Sequence, residues 1–259
     1  MLKYIISIFL IYFFFGFILF IFQRKILFNT SGIPLLPKSY GLNTVKEIKI
    51  KTKDGLNLLA WYSKPKIKKP ILLYLHGNSF DIGERAKRIE RYIEEGWGVV
   101  LLAWRGYSGN SGKPTEKNLY LDAKSALKWV LDNTNYSMKE IILYGESLGT
   151  GVAVELSKNQ DFKSVILEAP FTSIYDIAKL RYPIYPFKFL ILDNFDNYSK
   201  IDKIKSPIMI ISGKKDEIIP HKHSIKLFSK AKEPKECLFI DEAMHNNLYD
   251  FGIEKSVIN

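Results

Sequence analysis

Only one of the 259 residues is a cysteine, Cys237, so the chain builds neither an intrachain disulfide nor a cysteine-based zinc site from its own thiols. Histidines are scarce too: His76, His221, His223 and His245 are the four. With no H-E-x-x-H and no cysteine-pair spacing, neither a catalytic metal nor another cofactor is called for. Internal repeats and low-complexity tracts are lacking, which sets aside solenoids and linker-like chains. Acidic residues are in deficit, 27 Asp and Glu against 38 Lys and Arg, for a net charge of +11. The excess is scattered in short clusters such as K-P-K-I-K-K at 64–69, which flank apolar runs and read as solvated loops. A nucleic-acid partner, which would want a continuous basic stripe, is not expected. Anionic lipid headgroups suit such a surface better.

Apolar residues are plentiful, 47% of the chain with 14% aromatic, and provide for one sizeable core. From Tyr4 to Phe22 the chain runs Y-I-I-S-I-F-L-I-Y-F-F-F-G-F-I-L-F-I-F without a charge, close to the about 20 residues of a spanning helix. A cleaved signal would be shorter and end on small residues, whereas this run passes into Q-R-K. The reading is a single-pass N-terminal anchor over residues 1–28, a connection over 29–44 containing Pro34 and Pro37, and a globular domain over 45–259. Lys3 and the amino terminus balance Arg24, Lys25 and Lys38, leaving the side of the membrane open. No candidate catalytic residue lies in the anchor, so its deletion through about Phe28 is expected to leave a folded, active domain.

After the connection, E-I-K-I-K-T at 47–52 alternates like a strand and Asp54-Gly55 supplies a turn into L-L-A-W-Y at 58–62, predicting a hairpin. Six short apolar runs follow, at 71–75, 99–103, 141–144, 165–167, 208–211 and 237–241, with the character of strands buried on both faces. Helical patterns starting at Gly83, Leu119 and Thr150 separate several of them. Strands alternating with helices predict an α/β fold with a mostly parallel central sheet covered on both faces.

Ligands of such sheets bind at the carboxyl ends of the strands. There, after Tyr144, stands Gly145-Glu146-Ser147-Leu148-Gly149, a G-x-S-x-G between a strand and a helix. The glycines relieve crowding around a sharp turn and let the Ser147 hydroxyl project as a nucleophile. An alcohol needs a base, and the base an orienting acid; in this setting they follow the serine in the order acid, histidine. His245, in D-E-A-M-H-N-N after the last strand, is the base. His221 and His223 fall at the next helix and read as structural, and His76 precedes the serine and reads as a loop brace. Asp216, after the strand starting at Ile208, is the expected acid, with Glu217 and Glu168 as alternatives. The developing oxyanion requires backbone donors. Leu148 supplies one N–H, and Asn78, after Gly77 in L-H-G-N-S-F, the other. G-Y-S-G-N-S-G-K-P at 106–114 fails as a phosphate loop, because its glycines are misplaced and proline stands where the magnesium-binding hydroxyl belongs.

With these motifs the chain resembles the α/β-hydrolase superfamily from about Val45 to Asp250. H-G-N-S-F-D-I-G, W-R-G-Y-S-G-N-S-G-K-P, G-E-S-L-G, G-K-K-D-E-I-I-P and M-H-N, with the single anchor, are similar to the membrane-anchored serine hydrolases that include protein depalmitoylases. The resemblance implies a minimal lid and a Ser-His-Asp acyl-enzyme mechanism on carboxylic esters or thioesters of small-molecule or lipid-like acyl substrates. A serine peptidase of the same fold and a silent interaction domain are the alternatives. The apolar stretch Y-P-I-Y-P-F-K-F-L-I-L-D-N-F at 182–195 is read as a flap over an acyl groove, with Phe187 and Leu190 touching substrate, as a surface lying on the bilayer, or as an ordinary core helix.

Overall fold

The computed structural model describes residues 1–259, with the side chain of Phe187 outside the described residues. Eight strands form one sheet: β1 (Lys46–Lys51), β2 (Asn57–Ser63), β3 (Ile71–Leu75), β4 (Gly98–Leu102), β5 (Ile141–Glu146), β6 (Ser164–Glu168), β7 (Ile208–Gly213) and β8 (Lys235–Ile240). Their spatial order is β1-β2-β4-β3-β5-β6-β7-β8. The hairpin β1–β2 and the β2–β4 pair are antiparallel, and every pairing from β4 through β3 to β8 is parallel. This is the expected α/β-hydrolase architecture.

The period of two explains why the central strands read as continuous apolar runs. Along β3, Ile71, Leu73 and Leu75 enter one core while Leu72 and Tyr74 enter the other. The first core is closed by α3 (Glu116–Asn133) and α4 (Leu148–Ser157), and the second by α2 (Ala86–Glu94) and α7 (Ile253–Ile258). α5 (Ile174–Arg181) and α6 (Lys222–Lys230) complete the set after the N-terminal α1 (Leu2–Leu27). Caps mark the helix starts: Thr115 Oγ1 accepts from Asn118 N–H, and Ser173 Oγ from Asp176 N–H. One expectation needs correcting. β8 is not buried on both faces, because it pairs only with β7 and leaves Glu236 and Cys237 exposed at the sheet edge.

α1 has 26 residues and an apolar stretch of mean hydropathy 2.9, with no buried residue, and is long enough to cross a membrane. At about 1.5 Å per residue it extends about 39 Å. Its end is welded to the domain. Phe28 is buried and packs edge-to-face on Phe195, with ring centroids 6.4 Å apart. Asn78 Nδ2–H donates to the Leu27 carbonyl at 3.1 Å, and Asn29 N–H to the Asn78 carbonyl at 3.2 Å. Beyond it, Pro37, Leu42 and Val45 are buried too.

The 182–195 stretch is not a core helix. It is irregular chain with one helical turn at Phe187–Phe189, and it lies along α1. Tyr12 Oη donates to the Ile184 carbonyl at 2.9 Å, and Gln23 bonds both the Leu190 carbonyl and the Leu192 N–H. Arg24 pairs with buried Asp193 at 2.7 Å, whose other oxygen accepts from Glu116 N–H at the start of α3.

These contacts tie the end of α1 into the domain and weigh against an anchor detachable through Phe28. Phe28→Ala should lower the unfolding free energy by about 3–5 kcal/mol, measured by urea denaturation of the detergent-solubilised chain. Unchanged stability would restore a separable anchor.

Candidate active site

Ser147 sits at the corner between β5 and α4 with φ +49°, a conformation L residues rarely adopt. The corner is possible because its neighbours lack side chains. A Cβ on Gly149 would overlap the Leu75 carbonyl oxygen, and one on Gly145 would come within 2.8 Å of Thr150 Cα. Ser147 N–H donates to the Glu168 carbonyl at 2.8 Å, and its own carbonyl accepts from Thr150 Oγ1 at 2.6 Å, fixing the turn against β6 and α4.

The Ser147 hydroxyl projects to 3.0 Å from His245 Nε2. His245 Nδ1–H donates to Asp216 Oδ2 at 2.7 Å, so the ring presents Nε2 as an acceptor to the serine proton. Asp216 is buried, its Oδ1 accepting from the N–H groups of Ile218 and Ile219 at 2.9 and 2.8 Å. Gly213 brings the two loops together: a Cβ there would collide with the Ala243 carbonyl. Lys215 N–H donates to the same carbonyl at 3.0 Å, which aligns the segment carrying Asp216 with that carrying His245.

The alternative acids lie elsewhere. Glu217 is exposed. Glu168 is buried under the nucleophile, bonded to Tyr144 Oη at 2.7 Å and Arg88 Nη1 at 3.0 Å, and burial holds its carboxyl above the usual range. His76 donates Nδ1–H to the Gly77 carbonyl at 2.8 Å; burial, with the Arg85 charge, lowers its pKa to about 3, so it stays a neutral brace of its loop. His223 is buried against Thr172 Oγ1, and His221 bonds Ser212 Oγ.

The N–H of Leu148 opens α4 and so has no intrahelical acceptor, and Asn78 sits in the loop facing it. Both residues, with Ser147 and His245, line a cavity of about 400 Å³. Its walls are Phe171, Ile174, Ile177 and Ile191, with Leu19 and Ile26 contributed by α1. Leu190 is not among the lining residues and instead offers its carbonyl to Gln23. The side chain of Phe187 lies outside the described residues.

The sequence reading passed over Arg85 and Glu146. Glu146, one residue before the nucleophile, is buried and bound in a two-pronged fashion: Arg85 Nη2 to Oε1 at 2.7 Å and Nε to Oε2 at 3.1 Å. Tyr74 Oη donates to the same carboxylate at 2.9 Å. Arg85 also donates to the Ser79 carbonyl at 2.7 Å, tying the turn of Ser147 to the loop of Asn78. For Glu146 the signal was available, since a carboxylate closing an otherwise apolar strand needs a partner, although its sequence position does not say which.

A projecting serine on a strained strand-to-helix corner, relayed through histidine to a buried aspartate, defines a serine hydrolase of the α/β-hydrolase fold. Residues 107–245, more than half of the chain, match the prolyl oligopeptidase family, and the chain belongs to that family. It is 32% identical over 236 residues to the uncharacterized protein Rv2307c of Mycobacterium tuberculosis, covering 90% of this chain and 84% of that one. It is 37% identical over 187 residues to alpha/beta hydrolase domain-containing protein 17B of Homo sapiens, covering 70% of this chain and 62% of the human protein. In structure it resembles the Pyrococcus furiosus esterase Pf2001, with a TM-score of 0.71 at 23% identity over 88% of this chain and 94% of the esterase, a likeness of fold.

The Arg85–Glu146 pair has a measurable pH signature. Arg85 is the largest of the charges that hold the folded Glu146 carboxyl below its ordinary value against the opposing cost of burial. Its stabilisation is therefore complete above the unfolded pKa of about 4.3 and fades as the pH falls below it. Glu146→Gln should cost about 3–5 kcal/mol at neutral pH by stranding Arg85. In urea titrations that gap should narrow as the pH drops below 4; a gap independent of pH would remove the ion pair from the stability of the corner.

Proposed function

We propose that this protein is a membrane-anchored hydrolase of hydrophobic carboxylic esters or thioesters, with Ser147, His245 and Asp216 as its catalytic residues. Ser147 Oγ attacks the acyl carbonyl carbon while His245 Nε2 takes the hydroxyl proton, and Asp216 stabilises the imidazolium that forms. The backbone N–H groups of Asn78 and Leu148 receive the negative charge on the carbonyl oxygen. Collapse of the tetrahedral intermediate breaks the bond to the leaving alcohol or thiol, which departs with the proton from His245. A water activated by His245 then releases the acid and returns Ser147.

The observation that carries the substrate class is the apolar cavity beside Ser147, walled by Phe171, Ile174, Ile177 and Ile191 and by Leu19 and Ile26 of α1. An acyl tail finds burial there, and each methylene buried contributes about 0.8 kcal/mol. Residues 1–28 serve as a single-pass anchor, 29–44 as the connection and 45–259 as the catalytic domain in this reading. S-acylated proteins, the substrates of the depalmitoylases this sequence resembles, present such a thioester at a membrane. The prolyl oligopeptidase family match favours a second reading, cleavage of peptides by the same serine.

A p-nitrophenyl ester series separates the two. kcat/KM should rise by up to about fourfold per methylene and then flatten as the cavity fills, with peptide anilides turned over far more slowly. Ser147→Ala should abolish both hydrolysis and fluorophosphonate labelling, and Asp216→Asn should lower kcat by about 10⁴-fold through loss of the imidazole tautomer. Labelling retained in Ser147→Ala would overturn the mechanism, and peptide turnover above ester turnover would favour the second reading.

A further inference from the structure

We propose that the cavity beside Ser147 opens sideways into the bilayer, and that the acyl chain of a membrane-resident ester or thioester enters it between α1 and the 182–192 segment. The proposal rests on the ester-hydrolase reading above and adds the source and route of the substrate.

The first observation is depth. The charges of Arg24 and Lys25 close the apolar run of α1 and mark its polar boundary. The 182–192 segment follows α1 from Gln23, bonded to Leu190 and Leu192, back to Tyr12, bonded to Ile184. At 1.5 Å per residue that interval spans about 16 Å, half of a hydrocarbon layer about 30 Å thick. The contact is shaped rather than incidental. The rings of Tyr12 and Tyr185 stack with centroids 4.8 Å apart, and Tyr185 lies so close to Gly16 that a Cβ there would come within 2.9 Å of its ring.

The second is the treatment of polar groups. Irregular backbone in hydrocarbon must find partners within the protein. The Ile184 and Leu190 carbonyls and the Leu192 N–H find them in side chains of α1, and the Tyr182 carbonyl in the N–H of Tyr185. The segment's outward side chains are those lipid would cover: Phe189 is 86% exposed, Ile184 68% and Leu192 50%. Lys188 has a stem long enough to carry its ammonium to the headgroups.

The third is the cavity. Leu19, Gln23 and Ile26 of α1 form one wall, and Tyr182 and Ile191 face them. Leu19 lies five residues before Arg24, about 7 Å to the hydrocarbon side of the polar boundary. The cavity therefore reaches below the headgroups. An acyl chain drawn from that leaflet passes from lipid to cavity without crossing water.

The test uses the full chain in phosphatidylcholine vesicles. In a Cys237→Ser background, bimane is attached to Ile184→Cys, Phe189→Cys or the exposed reference Asp132→Cys, and quenching by lipids spin-labelled along the acyl chain is measured. Quenching at Ile184 and Phe189 should exceed that at Asp132 several-fold; equal quenching at the three sites would overturn the proposal. In the second arm, Ile184→Asp combined with Phe189→Asp should lower kcat/KM on a long-chain fluorogenic ester embedded in the vesicles at least tenfold. Hydrolysis of soluble p-nitrophenyl acetate and fluorophosphonate labelling should stay within twofold. An unchanged rate on the embedded ester would overturn lateral entry, and the quenching decides alone if the aspartates unfold the segment. A wild-type chain that is quenched as expected yet hydrolyses neither ester would overturn the ester reading instead.

Discussion

Glu146 stands one residue before Ser147 on a strand buried on both faces, where an unpaired carboxylate would cost several kcal/mol. Arg85 offsets that cost, and in doing so it must reach from the start of α2 across the carboxyl ends of β3 and β5. The same guanidinium holds the Ser79 carbonyl. One buried ion pair thus couples the strained corner carrying the hydroxyl to the loop carrying Asn78. A second layer packs beside it, Arg88 with Glu168 and the stacked rings of Tyr74 and Tyr144, and Tyr74 Oη joins the two by donating to Glu146. The hydroxyl, the imidazole and the amide donors are positioned on that platform.

Much of this was legible in the chain. Strands buried on both faces announce themselves as unbroken apolar runs, and β3, β5 and β7 begin where those runs begin. The strand-turn-helix around Ser147 is a local pattern, and the order of Asp216 and His245 after it limits the search to few residues. β8 was legible as a strand but not as an edge, because apolar Cys237, Leu238 and Phe239 look the same whether one face or two are covered. Arg85 was out of reach for another reason: nothing local to it predicts a partner 61 residues away.

The 182–195 stretch shows the limit more sharply. Composition marked it as apolar, and apolar chain with two prolines suits a flap, a core helix or a surface against lipid equally well. A polar signal bears on the choice: Tyr12 and Gln23, isolated hydrogen-bonding side chains in or beside an otherwise apolar run, are partnered by the backbone of this stretch. A polar residue in a spanning helix is costly without such a partner. The reading of α1 as a tether alone left those two residues unexplained.

The join between α1 and the domain has a further consequence. Phe28 in the core, Asn29 paired to the loop of Asn78, and Arg24 locked to Asp193 leave no slack between helix and catalytic body. In the proposed anchored state, a body fixed in this way to a helix long enough to span the bilayer cannot tumble or rise from the surface, so its site is held at one height and samples only molecules diffusing in the plane. Its encounter rate then scales with the number of substrate molecules per unit area of that leaflet, and diluting the membrane with inert lipid slows it even when the amount of substrate per millilitre stays the same.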